Sequence, residues 1–205
     1  MSTQTLRQMA GLKAPESLTP DKTALVLIDF QGDYFDPAKL LLPDGRRAAG
    51  QAAQLVDAAD AAGVKVFHMQ HTAPSPASPL FAPGSAGWAF VEPVTPRPGH
   101  EVVAKTLPSS FVRTELDAKL RAAGVDTVVI AGLMTHMCVD ATARDAVSNG
   151  YKVIVAADAC ATRDLPAGDG GTIAARDVHR ATLAALGDRF ADIMDTGALV
   201  TLLRR

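Results

Sequence analysis

Short apolar runs that alternate with helical segments constrain this chain most. Residues 24–28 are all apolar and end at Asp29, a pattern typical of a strand buried on both faces. Residues 45–62 are Ala-rich with helical spacing, and Gly63 follows as a stop signal. A second apolar run then begins at Val64. Strand, helix and strand in this order are typical of a parallel sheet covered by helices.

The same alternation continues to the end of the chain. Further strands are predicted at 64–69, 102–104, 127–131, 152–156 and 190–194, and further helices at 114–123, 136–148, 172–186 and the C-terminus. Thr114 and Asp117 predict a capping box at the start of one helix. Gly187 predicts the end of another. The predicted fold is α/β: a doubly wound, mainly parallel six-stranded sheet with helices on both faces, a Rossmann-like three-layer arrangement. We expect one domain, 1–205, with an N-terminal arm at 1–20 and a Pro-rich loop at 73–99.

Composition narrows the classes of partner. The net charge is −2, so the chain lacks the basic surface that nucleic acids or anionic membranes require. No apolar run approaches the roughly 18 residues of a membrane span, and the first 20 residues lack the apolar core of a signal peptide. Two cysteines, Cys138 and Cys160, do not form a disulfide framework. A cytoplasmic protein acting on a small molecule is expected.

A cysteine lies where a helix is predicted to begin. The strand at 127–131 is broken by Gly132, and Thr135 is a good N-cap, which places Cys138 in the first helical turn. Backbone N–H groups there have no partner within the helix, and the helix dipole favours negative charge. We therefore expect a lowered pKa for the thiol and a nearby oxyanion site.

Two charged residues are predicted to share this edge of the sheet. Asp29 ends the first strand and Lys105 the third, while His71 lies just past the second. Ligands of such sheets bind beyond the carboxyl ends of the strands. A thiolate, a cation and a proton carrier are the groups needed for nucleophilic acyl transfer. Each residue alone also fits a structural role: a packed cysteine, a capping aspartate or a solvated lysine.

Other side chains near this edge are candidates for a substrate pocket. They are Phe30, Gln31, Tyr34, His71, Trp88, Thr135 and His136. Gln31 is also expected to orient the loop after Asp29. Trp88 could belong to a lid over the site, contact another subunit or anchor the loop by packing. His136 could either line the pocket or be exposed to solvent.

Three motifs resemble one enzyme family. They are LVLIDFQGDYF at 25–35, Lys105 with the following Ser109-Ser110-Phe111, and VVIAGLMTHMCVDATARDAVSNGYKVIVAADACATRD at 128–164. Their sequences and order resemble the isochorismatase-like cysteine hydrolases over roughly residues 22–195. The resemblance implies a doubly wound sheet and a catalytic triad of Asp29, Lys105 and Cys138.

The resemblance also implies finer features of the site. A cis peptide is expected between Leu133 and Met134, with the N–H groups of Met134 and Cys138 forming an oxyanion hole. The family suggests a homodimer or homotetramer. Its nicotinamidase branch binds metal through an Asp-x-His pair, but the corresponding segment here, FHMQHTAPSPASP, has no Asp. No metal and no cofactor are therefore expected.

These features together predict a function. The chain is expected to hydrolyse a C–N bond, of amide or carbamoyl type, in a small molecule through a thioester on Cys138. The alternatives are an isochorismatase-type ether hydrolase, and a thiol redox or binding protein on the same fold.

Overall fold

The computed structural model describes residues 4–204 and contains a six-stranded parallel sheet. Its strands are β1 (Thr23–Ile28), β2 (Lys65–His71), β3 (Glu101–Lys105), β4 (Thr127–Leu133), β5 (Lys152–Ala161) and β8 (Asp192–Met194). The spatial order is β3-β2-β1-β4-β5-β8, and each neighbouring pair is parallel. Two short strands, β6 (Leu165–Pro166) and β7 (Thr172–Ile173), form a separate antiparallel pair. The predicted doubly wound α/β fold is confirmed.

Helices cover both faces of the sheet. They are α1 (Leu6–Met9), α2 (Gly45–Ala62), α3 (Leu116–Ala122), α4 (Asp140–Ser148), α5 (Ala175–Arg189) and α6 (Thr196–Leu203). One apolar cluster includes residues of α2 and α6, and a second includes residues of α3, α4 and α5. Side chains of β1 alternate between them, with Leu25 and Leu27 in the first cluster and Val26 and Ile28 in the second. Burial on both sides explains why the β1 sequence is continuously apolar.

The centre of the sheet forms a topological switch point. From β1 the chain continues to β2 on one side, while β4 pairs with the other side of β1. Gly132 on β4 permits the close approach of the two strands, because a Cβ there would lie 2.5 Å from the Ile28 carbonyl oxygen. The segments after β1 and β4 therefore emerge side by side at the carboxyl edge, the position where sheets of this type bind ligands.

Several predicted element ends are wrong. α5 runs through Gly187 to Arg189, so this glycine is not a stop. Thr114 and Asp117 form no capping box, because α3 begins at Leu116 and the Asp117 carboxylate contacts Arg121 and Tyr151 instead. The helix expected at 136–148 starts as a π-helical turn, Thr135–Val139, before α4. For Asp117, the contact with Tyr151, 34 residues away, is one that the local pattern does not encode.

β5 is longer than the predicted strand at 152–156 and contains an acidic residue. The strand continues to Ala161, so Asp158 lies within it. Its Oδ1 accepts hydrogen bonds from the backbone N–H and the hydroxyl of Thr196, each at 2.8 Å. Asp158 therefore fixes the start of α6.

The N-terminal arm packs beside α5 and β8. Arg7 forms an ion pair with Asp192 at 2.6 Å, and the Leu6 N–H donates to Asp188. Residues 1–3 of the predicted arm lie outside the described residues. The arm borders a cavity of about 530 Å³ lined by Tyr151 and Lys152, among others. That cavity lies at the amino ends of the strands, away from Asp29 and Cys138.

The Pro-rich segment at 73–99 contains no helix or named strand, as predicted. One isolated bridge joins Phe90 to Gln31. No helix within residues 4–204 is long and apolar enough to cross a membrane.

Candidate active site

An aspartate and a lysine meet at the carboxyl edge of the sheet. Asp29 follows β1 with a left-handed backbone, φ 55°, and is fully buried. Lys105 ends β3, and its Nζ lies 2.8 Å from Asp29 Oδ2. Both side chains have no exposed surface. The contact is an ion pair, and neither carboxylate oxygen has an aligned hydrogen bond within the described residues. Both oxygens of Asp29 therefore keep the capacity to accept a proton.

The sulfur of Cys138 completes this group. It lies 3.4 Å from Lys105 Nζ, which also donates to the Leu107 carbonyl oxygen at 3.2 Å. Cys138 is buried, with 4% of its surface exposed. It sits in the π-helical turn after β4, and such turns are frequent at functional sites. The sequence prediction that these three residues lie together is confirmed.

The protonation state expected for Cys138 is wrong. Burial raises the pKa of the Cys138 thiol to about 12, and the Asp29 carboxylate adds to this effect. Lys105 acts in the opposite direction but does not offset them. The helix terminus alone would lower the pKa, yet loss of hydration dominates for a group that water scarcely reaches. At neutral pH the sulfur therefore carries its proton and needs a base.

The same environment keeps Lys105 charged. Burial acts to lower the pKa of this ammonium, but the Asp29 carboxylate and the Cys138 sulfur outweigh it and raise the pKa above its usual value. The buried charges of Asp29 and Lys105 thus compensate each other. The group as a whole is neutral while the thiol is protonated.

Two histidines and a tyrosine near this group are neutral at pH 7. Burial, followed by the Lys105 charge, lowers the pKa of His71. Burial also lowers the pKa of His136, with a further effect of Arg163. Burial and the negative charges of Asp29 and Cys138 raise the pKa of Tyr34 well above its usual value. The hydroxyl of Tyr34 is therefore in the electrostatic field of the buried group.

Two residues of the predicted pocket connect neighbouring segments of the chain through hydrogen bonds. Gln31 is fully buried; its amide nitrogen donates to the carbonyl oxygens of His71 and Trp88, and its amide oxygen accepts from the His71 N–H. It joins the end of β2 to the Pro-rich loop. Thr135 is not the N-cap, because its hydroxyl is bonded to His179 Nδ1 at 2.8 Å. It links the cysteine-bearing turn to α5.

The other predicted residues occupy different surroundings. Phe30 is buried in the apolar cluster on the α2 side. Trp88 is half-buried, and its indole N–H donates to the Thr72 hydroxyl at 2.9 Å. The His136 ring is bonded to the Thr162 hydroxyl. The Leu133–Met134 peptide bond is cis, as the resemblance implies.

Two residues near the site were not predicted. His179 lies on α5, and its ring contacts the hydroxyl of Thr135. Arg163 follows Thr162 after β5, and its charge acts on both Tyr34 and His136. Its position in the motif at 128–164 is the only sequence signal that pointed there. In residues 4–204, no three His, Cys, Asp or Glu side chains are grouped so as to hold a metal ion.

Comparison with known proteins assigns the chain to a family. Residues 23–198 match the model of the Isochorismatase domain. The chain belongs to the isochorismatase family. An isochorismatase family protein of Bacillus subtilis, YddQ, is 40% identical over 87% of this chain and 98% of its own.

Further isochorismatase relatives have named activities. The ureidoacrylate amidohydrolase RutB of Methylobacterium radiotolerans is 33% identical over 92% of this chain and 82% of its own. The crystal structure of a cysteine hydrolase from Pseudomonas syringae pv. phaseolicola 1448A superposes with a TM-score of 0.88 at 27% identity, covering 100% of this chain and 99% of that one. This isochorismatase family member is a hydrolase.

Proposed function

We propose that this hydrolase cleaves a C–N bond, of amide or carbamoyl type, in a small molecule, with Cys138 as the nucleophile. The observation that carries the proposal is the buried contact of one sulfur with a lysine whose Nζ also lies 2.8 Å from a fully buried carboxylate. The name of RutB, an amidohydrolase similar over most of the chain, supports the bond type.

The protonated thiol assigns a defined task to Asp29. Its carboxylate takes the proton of Cys138 as the sulfur attacks the substrate carbonyl carbon, so no stable thiolate is needed beforehand. The new S–C bond gives a tetrahedral intermediate. Its oxyanion accepts hydrogen bonds from the backbone N–H groups of Met134 and Cys138. Asp29 returns the proton to the leaving nitrogen, the C–N bond breaks, and a thioester on Cys138 remains.

The second half of the reaction uses the same groups. Asp29 takes a proton from a water molecule, and the resulting hydroxide adds to the thioester carbon. The S–C bond then breaks, the carboxylic or carbamic acid leaves, and the sulfur recovers its proton. Lys105 stays charged throughout, where it stabilises the sulfur anion and orients Asp29.

A buried thiol with a pKa of about 12 argues against a redox role. Cysteines that react with peroxides or exchange disulfides are exposed and have a lowered pKa. The second thiol, Cys160, is completely buried, and burial raises its pKa to about 12 as well. Neither cysteine has the environment of a redox sensor.

Ammonia or amine release from a panel of small amides and ureido compounds tests the proposal. We expect Cys138→Ala to abolish turnover without loss of folding, whereas Cys160→Ala, the matched control, keeps most of it. Intact-protein mass spectrometry with a slow substrate should show an acyl adduct that Cys138→Ala lacks. Full turnover in Cys138→Ala would disprove the mechanism.

A further inference from the structure

Three hydrogen-bonded side chains lie between α2, β2 and the end of the Pro-rich loop. Asp60 Oδ1 on α2 lies 2.8 Å from His100 Nε2, and His100 Nδ1 lies 3.0 Å from Nε2 of His68 on β2. His68 is 1% exposed, and the His100 side chain is 4% exposed. The two imidazole rings therefore meet out of contact with water.

The partners of each ring nitrogen determine where the protons are. Burial acts to raise the pKa of the Asp60 carboxyl, but hydrogen bonds from His100 and Arg97 outweigh it and lower this pKa. The Asp60 carboxylate therefore only accepts hydrogen bonds, and His100 Nε2 carries a hydrogen. The backbone N–H of Arg97 donates to His100 Nδ1 at 3.2 Å, so this nitrogen is an acceptor. His68 must then donate to it from Nε2, and both rings are neutral.

Neither ring can take up a further proton while these hydrogen bonds are intact. Nδ1 of His68 is buried and has no hydrogen-bond partner in residues 4–204. A proton on Nδ1 of His100 would point at two donors, the Arg97 N–H and the His68 Nε2–H. Burial, followed by the charges of His100 and Arg97, lowers the pKa of His68 to about 3, in agreement with this geometry. Two separated and hydrated rings have the ordinary pKa of about 6.5.

The other charges around the rings do not stabilise a proton on His68. On α2, Asp57 and Asp60 both contact the Arg97 guanidinium, at 2.8 and 2.9 Å. Asp60 acts to raise the pKa of His68, but burial and the Arg97 charge act against it. The remaining neighbour of the His68 ring is uncharged, because it is the ring of Phe90, with centroids 5.6 Å apart.

These contacts hold two segments that lead to the reacting groups. His100 directly precedes β3, whose last residue is Lys105. Phe90, which packs on the His68 ring, is bridged to Gln31 in the segment after β1. Separation of the two imidazole rings would therefore free the end of the Pro-rich loop from β2.

We propose that Asp60, His100 and His68 form a latch that opens in acid and releases residues 88–100 from β2. A proton taken up by either ring breaks its hydrogen bond to the other ring, and the charged ring then binds water. The closed latch excludes both protons, so it is fully stable above a pH of about 6.5 and weakens below it, by up to about tenfold per histidine for each pH unit. The effect of the latch on turnover rests on the proposed function, whereas the movement of the loop does not.

Fluorescence of Trp88 tests the latch, because this is the only tryptophan of the chain and lies in the Pro-rich loop. Quenching of Trp88 by acrylamide should rise reversibly between about pH 6.5 and 4, while far-UV circular dichroism keeps its native signal. The double variant His68→Gln/His100→Gln replaces each ring by an amide that can donate and accept but does not titrate. We expect its Trp88 transition to lie about one pH unit or more below that of the wild type.

A histidine outside the latch provides the control. His179→Gln removes another partly buried ring, on α5, and should leave the pH of the Trp88 transition unchanged. A wild-type Trp88 transition that coincides with loss of the circular dichroism signal would overturn the inference, and so would a double variant with the wild-type transition. If the double variant does not fold, His68→Gln alone should still lower the pH of the transition, and an unchanged pH overturns the inference equally.

Turnover distinguishes failure of the latch from failure of the proposed function. Amine release from an amide or ureido substrate should fall along the Trp88 transition in the wild type and recover on return to neutral pH. In the double variant, the fall should follow its own, lower transition. A lowered Trp88 transition in a double variant of a protein that hydrolyses no amide would support the latch and reject the hydrolase. Turnover that stays constant through the wild-type Trp88 transition would reject control of the site by the latch.

Discussion

Replacing Lys105 by Met tests the buried ion pair most directly. The substitution keeps the length of the side chain but leaves the Asp29 carboxylate without its cation. Both side chains are fully buried, so solvent cannot screen the remaining charge. Removing one partner of a buried pair costs about 3–5 kcal/mol, and we expect Lys105→Met to lose this amount of unfolding free energy. We also expect turnover to fall by about 10²–10³-fold or more, because charge stabilisation at the sulfur is lost.

An exposed ion pair of the same length provides the control. Lys119 contacts Glu101 at 2.8 Å, but its side chain is 34% exposed. Lys119→Met should cost far less unfolding free energy than Lys105→Met, because solvent screens this pair, and should leave turnover intact. The double variant Asp29→Asn/Lys105→Met removes both buried charges and should recover most of the lost stability while staying inactive. Together with the two single variants and the wild type, the double variant forms a double-mutant cycle. Urea unfolding at pH 7 measures the unfolding free energy of all four proteins.

The pH dependence of stability gives a second signature of the same pair. The pKa of Lys105 is raised in the folded state, so its contribution is complete below the unfolded pKa of about 10.4 and is lost as pH rises through the folded value. Wild-type stability should therefore fall more steeply than that of Lys105→Met at pH above about 10.4. A cost below about 1 kcal/mol together with full activity in Lys105→Met would refute this account of the site.

Four other predictions address the Cys138 thiol, the hydrogen bonds of Gln31, metal dependence and the oligomeric state. Alkylation of Cys138 by iodoacetamide should accelerate about tenfold per pH unit between pH 7 and 9.5, because the thiol pKa is about 12; a plateau near pH 8 would contradict the raised pKa. Gln31→Ala should cost about 2–4 kcal/mol in urea unfolding, because it removes the three hydrogen bonds of a fully buried side chain. Exposed Gln54→Ala should cost little. Dialysis against a strong chelator should leave the rate unchanged, and a loss restored by zinc, iron or manganese would show that a metal takes part. Light scattering should report a homodimer or homotetramer at micromolar concentration, and a fully active monomer would refute this.

The grouping of site residues at the carboxyl edge of the sheet could be predicted, because short-range sequence patterns determine it. Continuous apolar runs define strands buried on both faces, and the connecting helices force those strands to be parallel. Residues that follow parallel strands meet at one edge. This argument placed Asp29, Lys105 and Cys138 together, and the ion pair and the lysine–sulfur contact agree with it.

The chemical state of those residues was decided by the tertiary structure. Position in a first turn predicts a lowered pKa for Cys138, but the pKa is raised because helices and strands distant in sequence bury the sulfur beside Asp29. Thr135 has the sequence of an N-cap but bonds to His179, 44 residues away. Local patterns carry no information about such distant partners.

Arg163 shows the same division between sequence and structure. Its motif resembles the family, but only the folded chain shows a buried Nε without a partner beside the bond between Thr162 and His136. Secondary structure and strand direction follow from short-range periodicity, so the sequence determined the fold class and the edge at which the site lies. Burial, pairing of charges and proton affinity depend on which distant side chains pack together, and these only the tertiary structure decided.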